Sequence, residues 1–157
     1  NSGSRTSSLM FGVQWDLVLA FMSKDTAKVT DTSILTTNST TIGNYYDNLW
    51  TITNANAKYS EDNGSSFTAC PNPYKKESNS NILLTTGADS SFSVQNIYDI
   101  AGNVLEWTLE KTSYTGYPCA GRGGSYSDTG SGFPAAYRSG SSTYDSFGLI
   151  GFRVSLF

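Results

Sequence analysis

Apolar residues recur at helical spacing in one stretch only. Met10, Val13, Leu17, Ala20 and Phe21 follow one another three or four positions apart, and Trp15, Val18 and Met22 widen the stripe. This spacing predicts a helix from about Leu9 to Met22, capped by Ser7 or Ser8 and largely buried. From Asp25 to about Ser93 the chain is rich in Thr, Ser and Asn, with scattered Ile34, Leu35, Tyr45, Tyr46, Trp50 and Ile52. No long helix fits there, so that stretch is expected to be loop-rich with its own local packing. Period-two patterns appear late. Leu105, Trp107 and Leu109 alternate with Glu106 and Thr108, which predicts a half-buried strand. Ile150, Phe152, Val154 and Leu156 alternate with Gly151, Arg153 and Ser155, which predicts a second strand with the apolar set inward. Asp99 to Asn103 reads as the turn feeding the first strand. One helix followed by late antiparallel strands and long loops gives an α+β fold.

Composition narrows the chemistry. The 157 residues fit one domain, and 21 aromatics argue against disorder. There is no histidine, which excludes imidazole acid–base catalysis and histidine-bound metals. A net charge of −3 argues against a nucleic-acid surface. The longest apolar run, Leu17 to Met22, is far too short to cross a bilayer, so no membrane insertion is expected. The helix also lacks the basic polar face of a membrane-surface helix. Cys70 and Cys119 fit either one disulfide or two separate thiols. The chain starts at Asn1 with no signal-peptide pattern behind it, which reads as a piece of a longer protein or a mature product.

Three ordered motifs carry a resemblance. Asn96 to Thr108 (NIYDIAGNVLEWT), Arg122 to Tyr126 (RGGSY) and Ile150 to Val154 (IGFRV) resemble the signature elements of the formylglycine-generating-enzyme branch of the C-type lectin fold. Gly12 to Asp16 (GVQWD) sits where that family has its Trp-containing helix. The resemblance covers about Ser4 to Phe157 and implies a loop-rich C-type lectin-like domain with one main helix and a small antiparallel sheet. It does not extend to the enzymes' metal sites. The positions matching the oxidases' copper-binding cysteines are about Asp128 and Phe133, and the sulfoxide synthases' iron-binding histidines are missing. The Glu-Pro-Asn or Gln-Pro-Asp sugar loop of calcium-dependent lectins is also absent. No enzyme activity is therefore expected. No cofactor is implied beyond a structural calcium ion, whose site no acidic cluster marks.

The chain is most similar in kind to the C-terminal domains of phage and prophage proteins whose last segment is rewritten by diversity-generating retroelements. There, copying errors at template adenines turn AAY codons into NNY, which cannot encode Lys, Glu, Gln, Met or Trp. None of those five types occurs in the 46 residues from Thr112 to Phe157, against 17 in the first 111. At the earlier frequency about seven would be expected. Asn falls likewise from 12 to none. A plain Gly/Ser-rich loop poor in long side chains is the competing explanation, since residues 121–149 hold 7 Gly and 7 Ser.

The expected variable, ligand-binding positions are Ser125, Ser127, Asp128, Thr129, Gly132, Phe133, Tyr137, Ser139, Gly140, Ser141, Tyr144, Asp145 and Phe147. Tyr with Ser and Gly is the composition of an antibody paratope, in which rigid aromatics anchor and small residues adapt. The expected framework is Trp15 and Trp107 in the core, Arg122-Gly123-Gly124, and Arg138 and Arg153 paired with Glu106 and Asp99. The resemblance implies display on a phage tail fibre or bacterial surface, as a possible homotrimer, with a host-cell surface protein or glycan as ligand. Two other classes remain open: an invariant structural module of a tail or fibre, and a divergent enzyme using Asp128 and Asp145. Gly121 to Gly124 is no phosphate loop, because the Lys-Ser/Thr that must follow is missing.

Overall fold

The computed structural model describes residues 6–156. The fold is α+β, mostly small antiparallel sheets with one main helix. In chain order the elements are β1 (Ser7–Leu9), α1 (Gly12–Met22), the single-turn α2 (Ser33–Thr36), β2 (Trp50–Ile52), β3 (Lys58–Ser60), β4 (Thr68–Ala69), β5 (Tyr74–Lys76) and β6 (Leu83–Leu84). They continue with β7 (Ser93–Val94), β8 (Ile97–Tyr98), β9 (Leu105–Lys111), β10 (Cys119–Arg122), β11 (Arg138–Ser141), β12 (Ile150–Phe152) and β13 (Val154–Leu156). The main sheet runs β11-β10-β9-β12, antiparallel except for β12 against β9. β1 pairs with β13 and so brings the two ends of the described chain together.

Helix α1 starts later than the spacing predicts, because Ser7 to Leu9 is drawn into the pairing with β13. Its N-cap is Phe11, whose N–H donates to Gln14 Oε1 at 2.9 Å. The buried side is Trp15, Leu19 and Met22, whereas Val13, Leu17, Ala20 and Phe21 face outward. The expected buried stripe is therefore the exposed one. A helix with no polar face offers two apolar sides, and Trp15 selects between them. Its ring is 1% exposed, and Nε1 donates to the Ala135 carbonyl at 2.9 Å. The guanidinium carbons of Arg122 and Arg153 each lie 5.7 Å from the indole centroid.

The strand faces reverse in part, although Leu105 is buried as expected. On β9, Glu106 and Thr108 are buried, Trp107 is half-buried and Leu109 is exposed. Glu106 pairs with Arg153, and the Thr108 hydroxyl donates to the Ala120 carbonyl at 2.9 Å. Trp107 is thus a sheet-surface residue and not the expected core anchor. On the last strands Arg153 and Ser155 turn inward, with Ser155 Oγ donating to Gln14 Oε1 at 2.9 Å. Phe152, Val154 and Leu156 are exposed. A buried ion pair needs inward polar positions, which inverts the usual apolar-in pattern.

Two cores hold the molecule. The first gathers Trp15, Leu19 and Met22 with Leu35, Ile42, Tyr45 and Ile100. The second gathers Trp50, Ile52, Ile82, Leu84 and Phe92, and gives the loop-rich middle its own packing as expected. Buried asparagines join them. Asn103 exchanges two 3.1 Å hydrogen bonds with the Leu84 backbone, and Asn44 donates to the Ile82 carbonyl at 2.8 Å and accepts from Trp50 Nε1. The Asp99 to Asn103 turn forms as predicted, with positive φ at Asp99 (56°), Gly102 (65°) and Asn103 (62°). A side chain at residue 102 would run into the Asn44 backbone, so glycine is required there twice over. Cys70 and Cys119 are both free thiols. Among the described residues no helix is long and apolar enough to cross a membrane.

Candidate ligand-binding surface

The segment after Thr112 enters the surface as three loops: residues 112–118 between β9 and β10, residues 123–137 between β10 and β11, and residues 142–149 between β11 and β12. Each is anchored differently. The 123–137 loop opens on Gly123 and Gly124, with φ of 91° and 73°. A Cβ at residue 123 would lie 2.6 Å from the Ile100 carbonyl oxygen, and one at residue 124 would lie 2.5 Å from that of Phe133. The Tyr45 hydroxyl lies within hydrogen-bond reach of both the Gly123 and Phe133 carbonyls, at 2.9 and 2.8 Å. Ser39 N donates to Gly130 O, Tyr46 N to Asp128 O, Gly130 N to Asp47 Oδ1 and Ala135 N to Ser39 Oγ. The backbone is thereby fixed by residues 39–47, outside the Gly/Ser-rich segment.

Framework residues behave largely as expected. Arg122 is fully buried. It donates to the Ala136 carbonyl at 2.7 Å and pairs with Asp16 and, at 3.3 Å, with Glu110. Arg153 grips Glu106 through two 2.5 Å contacts but meets Asp99 only at its backbone carbonyl, at 3.1 Å; the Asp99 carboxylate, expected to pair with an arginine, accepts from Gly87 N at 2.8 Å instead. Burial pushes the Glu106 carboxyl up despite that partner, and lifts Asp99 to about 6. Arg138 departs from expectation. It is half exposed and pairs with Asp16 and Glu110, each at 2.6 Å, not with Glu106 or Asp99. In register opposite Arg122, it shares that residue's carboxylates on the helix side of the sheet.

The thirteen expected binding positions divide into two groups with different anchors. In the first, Thr129 and Gly132 are exposed at the loop tip, while Ser127, Asp128, Phe133 and Tyr137 are half-buried. The Phe133 and Tyr137 rings meet at a tilt of 59°, their centroids 4.6 Å apart. Ser125 is buried, because its N–H and hydroxyl both close a turn onto Asp128 Oδ2, at 2.9 and 2.7 Å. In the second group Gly140, Tyr144 and Phe147 are exposed, Tyr144 at 92%, and Ser139 and Asp145 are half-buried. Ser141 is buried on β11 opposite Cys119. Ser125 and Ser141 are therefore structural positions and not contact residues. Asp128 and Asp145 each cap a local turn, Asp145 Oδ2 accepting from Ser142 N at 2.8 Å.

Two aromatic residues join the second group that sequence reasoning did not select. Tyr114 and Tyr117, 68% and 55% exposed, stand on the 112–118 loop beside β11. A Cβ placed on Gly140 would lie 3.4 Å from Tyr117 Cβ and 3.5 Å from Tyr114 Cδ2. The signal was available, since the loss of Lys, Glu, Gln, Met, Trp and Asn begins at Thr112, ahead of both tyrosines. On the opposite face of the sheet, Thr143 of the last loop closes a cleft of about 200 Å³ with Leu9, Trp107, Leu109 and Cys119. No three His, Cys, Asp or Glu side chains among the described residues converge on a metal-sized site. No family model matches the chain, and comparisons with curated proteins and with solved structures return no match.

Proposed function

We propose that this chain is a ligand-binding domain of C-type lectin-like fold whose exposed loop residues are diversified on a fixed scaffold. The reading is of a binding domain and not an enzyme. The observation that carries it is the separation between backbone and side chains in the Gly/Ser-rich segment. The main chain of residues 123–137 is anchored by Ser39, Tyr45, Tyr46 and Asp47, and Tyr144, Phe147, Thr129 and Gly132 lie exposed. The codon-restricted composition after Thr112 supports the same reading, as do the ordered motifs that resemble the formylglycine-generating-enzyme branch. The domain's proposed place is a phage tail fibre or a bacterial surface, where several copies, a trimer among the possible arrangements, would raise avidity. Its ligand is then a protein or glycan on the host cell.

The reading is tested by incubating the labelled chain, multimerised on a tetrameric carrier, with a panel of bacterial isolates from its source community. Saturable binding to a subset of isolates, lost in Tyr144→Ala, is expected. A chain that binds no isolate, or binds all of them without regard to Tyr144, contradicts it.

A further inference from the structure

Two adjoining hollows, of about 280 and 410 Å³, lie at the end of β9 and beside β11, the first on the face that carries Glu110 and Arg138. They share the wall from Lys111 to Tyr114, and Arg138 and Gly140 line the first of them. From this groove we infer that the domain holds a pyranose residue of a surface glycan between Tyr114, Lys111 and Arg138, without calcium. The inference rests on the binding-domain reading and names the ligand class for one part of that surface.

A sugar matches these groups. A pyranose ring presents a face of C–H groups and a rim of hydroxyls, so it needs an aromatic platform and donors at the edge. Tyr114 supplies the platform, and the electron-rich face of its ring suits C–H contact. The loop that carries it is held by backbone hydrogen bonds from Tyr117 N to Tyr114 O (3.2 Å) and from Thr112 N to Pro118 O (3.0 Å). Tyr114 N also donates to Thr112 Oγ1 at 3.2 Å. Arg138 is oriented in advance, its Nε on Glu110 and one terminal nitrogen on Asp16, which leaves the other terminal nitrogen as a donor. Lys111 makes no ion pair among the described residues and adds a second cationic donor. Groups already held in place lose little freedom on binding, which matters most for small polar ligands.

A protein partner suits this groove less well. Protein interfaces need an apolar centre depleted in charge. Here the charged groups lie within the hollows, and burying them under apolar side chains would leave Lys111 uncompensated. Gly140, one of the expected variable positions, lies beneath the two tyrosines, so a side chain there would reshape the groove directly.

The test uses isolates to which the chain binds. Cells are treated either with periodate, which cleaves vicinal diols of sugars, or with a broad protease, and binding is measured for the chain and for Tyr114→Ala and Lys111→Met. The expected result is binding abolished by periodate and kept after protease. Affinity should fall at least tenfold in Tyr114→Ala and severalfold in Lys111→Met, with melting temperatures unchanged. Binding that survives periodate and is lost to protease overturns the glycan assignment and leaves the binding-domain reading intact. Periodate-sensitive binding that both variants retain overturns the assignment of this groove. Absence of binding to every isolate overturns both readings.

Discussion

The Arg153–Glu106 pair gives the strictest test of how the scaffold is held. Replacing Glu106 by Gln keeps the shape and one acceptor but removes the charge that faces Arg153. Breaking a buried pair costs roughly 3–5 kcal/mol, because the remaining ion has no partner. Two features lower that figure here. Arg153 keeps 28% of its side chain in water, and its guanidinium still donates to the Tyr98 and Asp99 carbonyls. A loss of about 2–3 kcal/mol is therefore expected. For a domain of this size that corresponds to a fall of roughly 5–10 °C in melting temperature. The assay is thermal and urea unfolding followed by circular dichroism. A double variant, Glu106→Gln with Arg153→Met, removes both charges and should recover at least half of the loss. A Glu106→Gln variant that melts within about 1 °C of the parent would refute the reasoning. So would a double variant less stable than the single one.

Asp99 gives a pH test. Its folded carboxyl titrates at about 6 against an ordinary 3.8, so the folded chain binds the proton more tightly than the unfolded one. Its stabilising contribution is complete below about pH 4 and is lost as pH rises through 6. Relative to Asp99→Asn, which keeps an acceptor for Gly87 N, the parent should lose about 2–3 kcal/mol across that window in urea titrations; parallel pH profiles would contradict the assignment. Trp15→Ala should cost about 3–5 kcal/mol in urea unfolding, and Trp107→Ala about half as much because its ring is only half-buried. Equal losses would return Trp107 to the core. Tyr144→Ala and Phe147→Ala should change the melting temperature by no more than about 1 °C while abolishing cell binding; matched losses of stability and binding would make them structural.

Features fixed by local chemistry were legible in the sequence. The Asp99 to Asn103 turn follows from glycine and asparagine accepting positive φ. The existence of α1 follows from spacing, and the pairing of Arg153 follows from a lone arginine in an apolar strand facing few carboxylates. Which side of an element turns inward was not legible. On α1 both sides are apolar, and the choice rests on Trp15 reaching Ala135, 120 positions away. On β9 beyond the buried Leu105, and along residues 152–156, the alternation marks the apolar side, yet the interior holds an ion pair and a threonine, so the polar set turns inward. Arg138 was misassigned because its register partner, Arg122, draws Asp16 and Glu110 to the same place. Ser125 and Ser141 look like any other serine until the turn onto Asp128 and the sheet position opposite Cys119 are known. Tyr114 and Tyr117 lie ahead of the Gly/Ser-rich stretch that begins at Gly121, so only the change in composition at Thr112 marks them in the sequence.

The central claim is that one backbone carries many surfaces, and sequencing tests it most directly. The coding region is read deeply across a single source population, together with any nearby near-copy of its last 46 codons. The account predicts amino-acid changes concentrated at exposed positions such as 114, 117, 129, 132, 140, 144 and 147, all in NNY codons aligned with template adenines. Arg122, Gly123, Gly124, Glu106 and Arg153 should not vary. A uniform segment, or changes spread evenly along the chain and rich in silent substitutions, would contradict it.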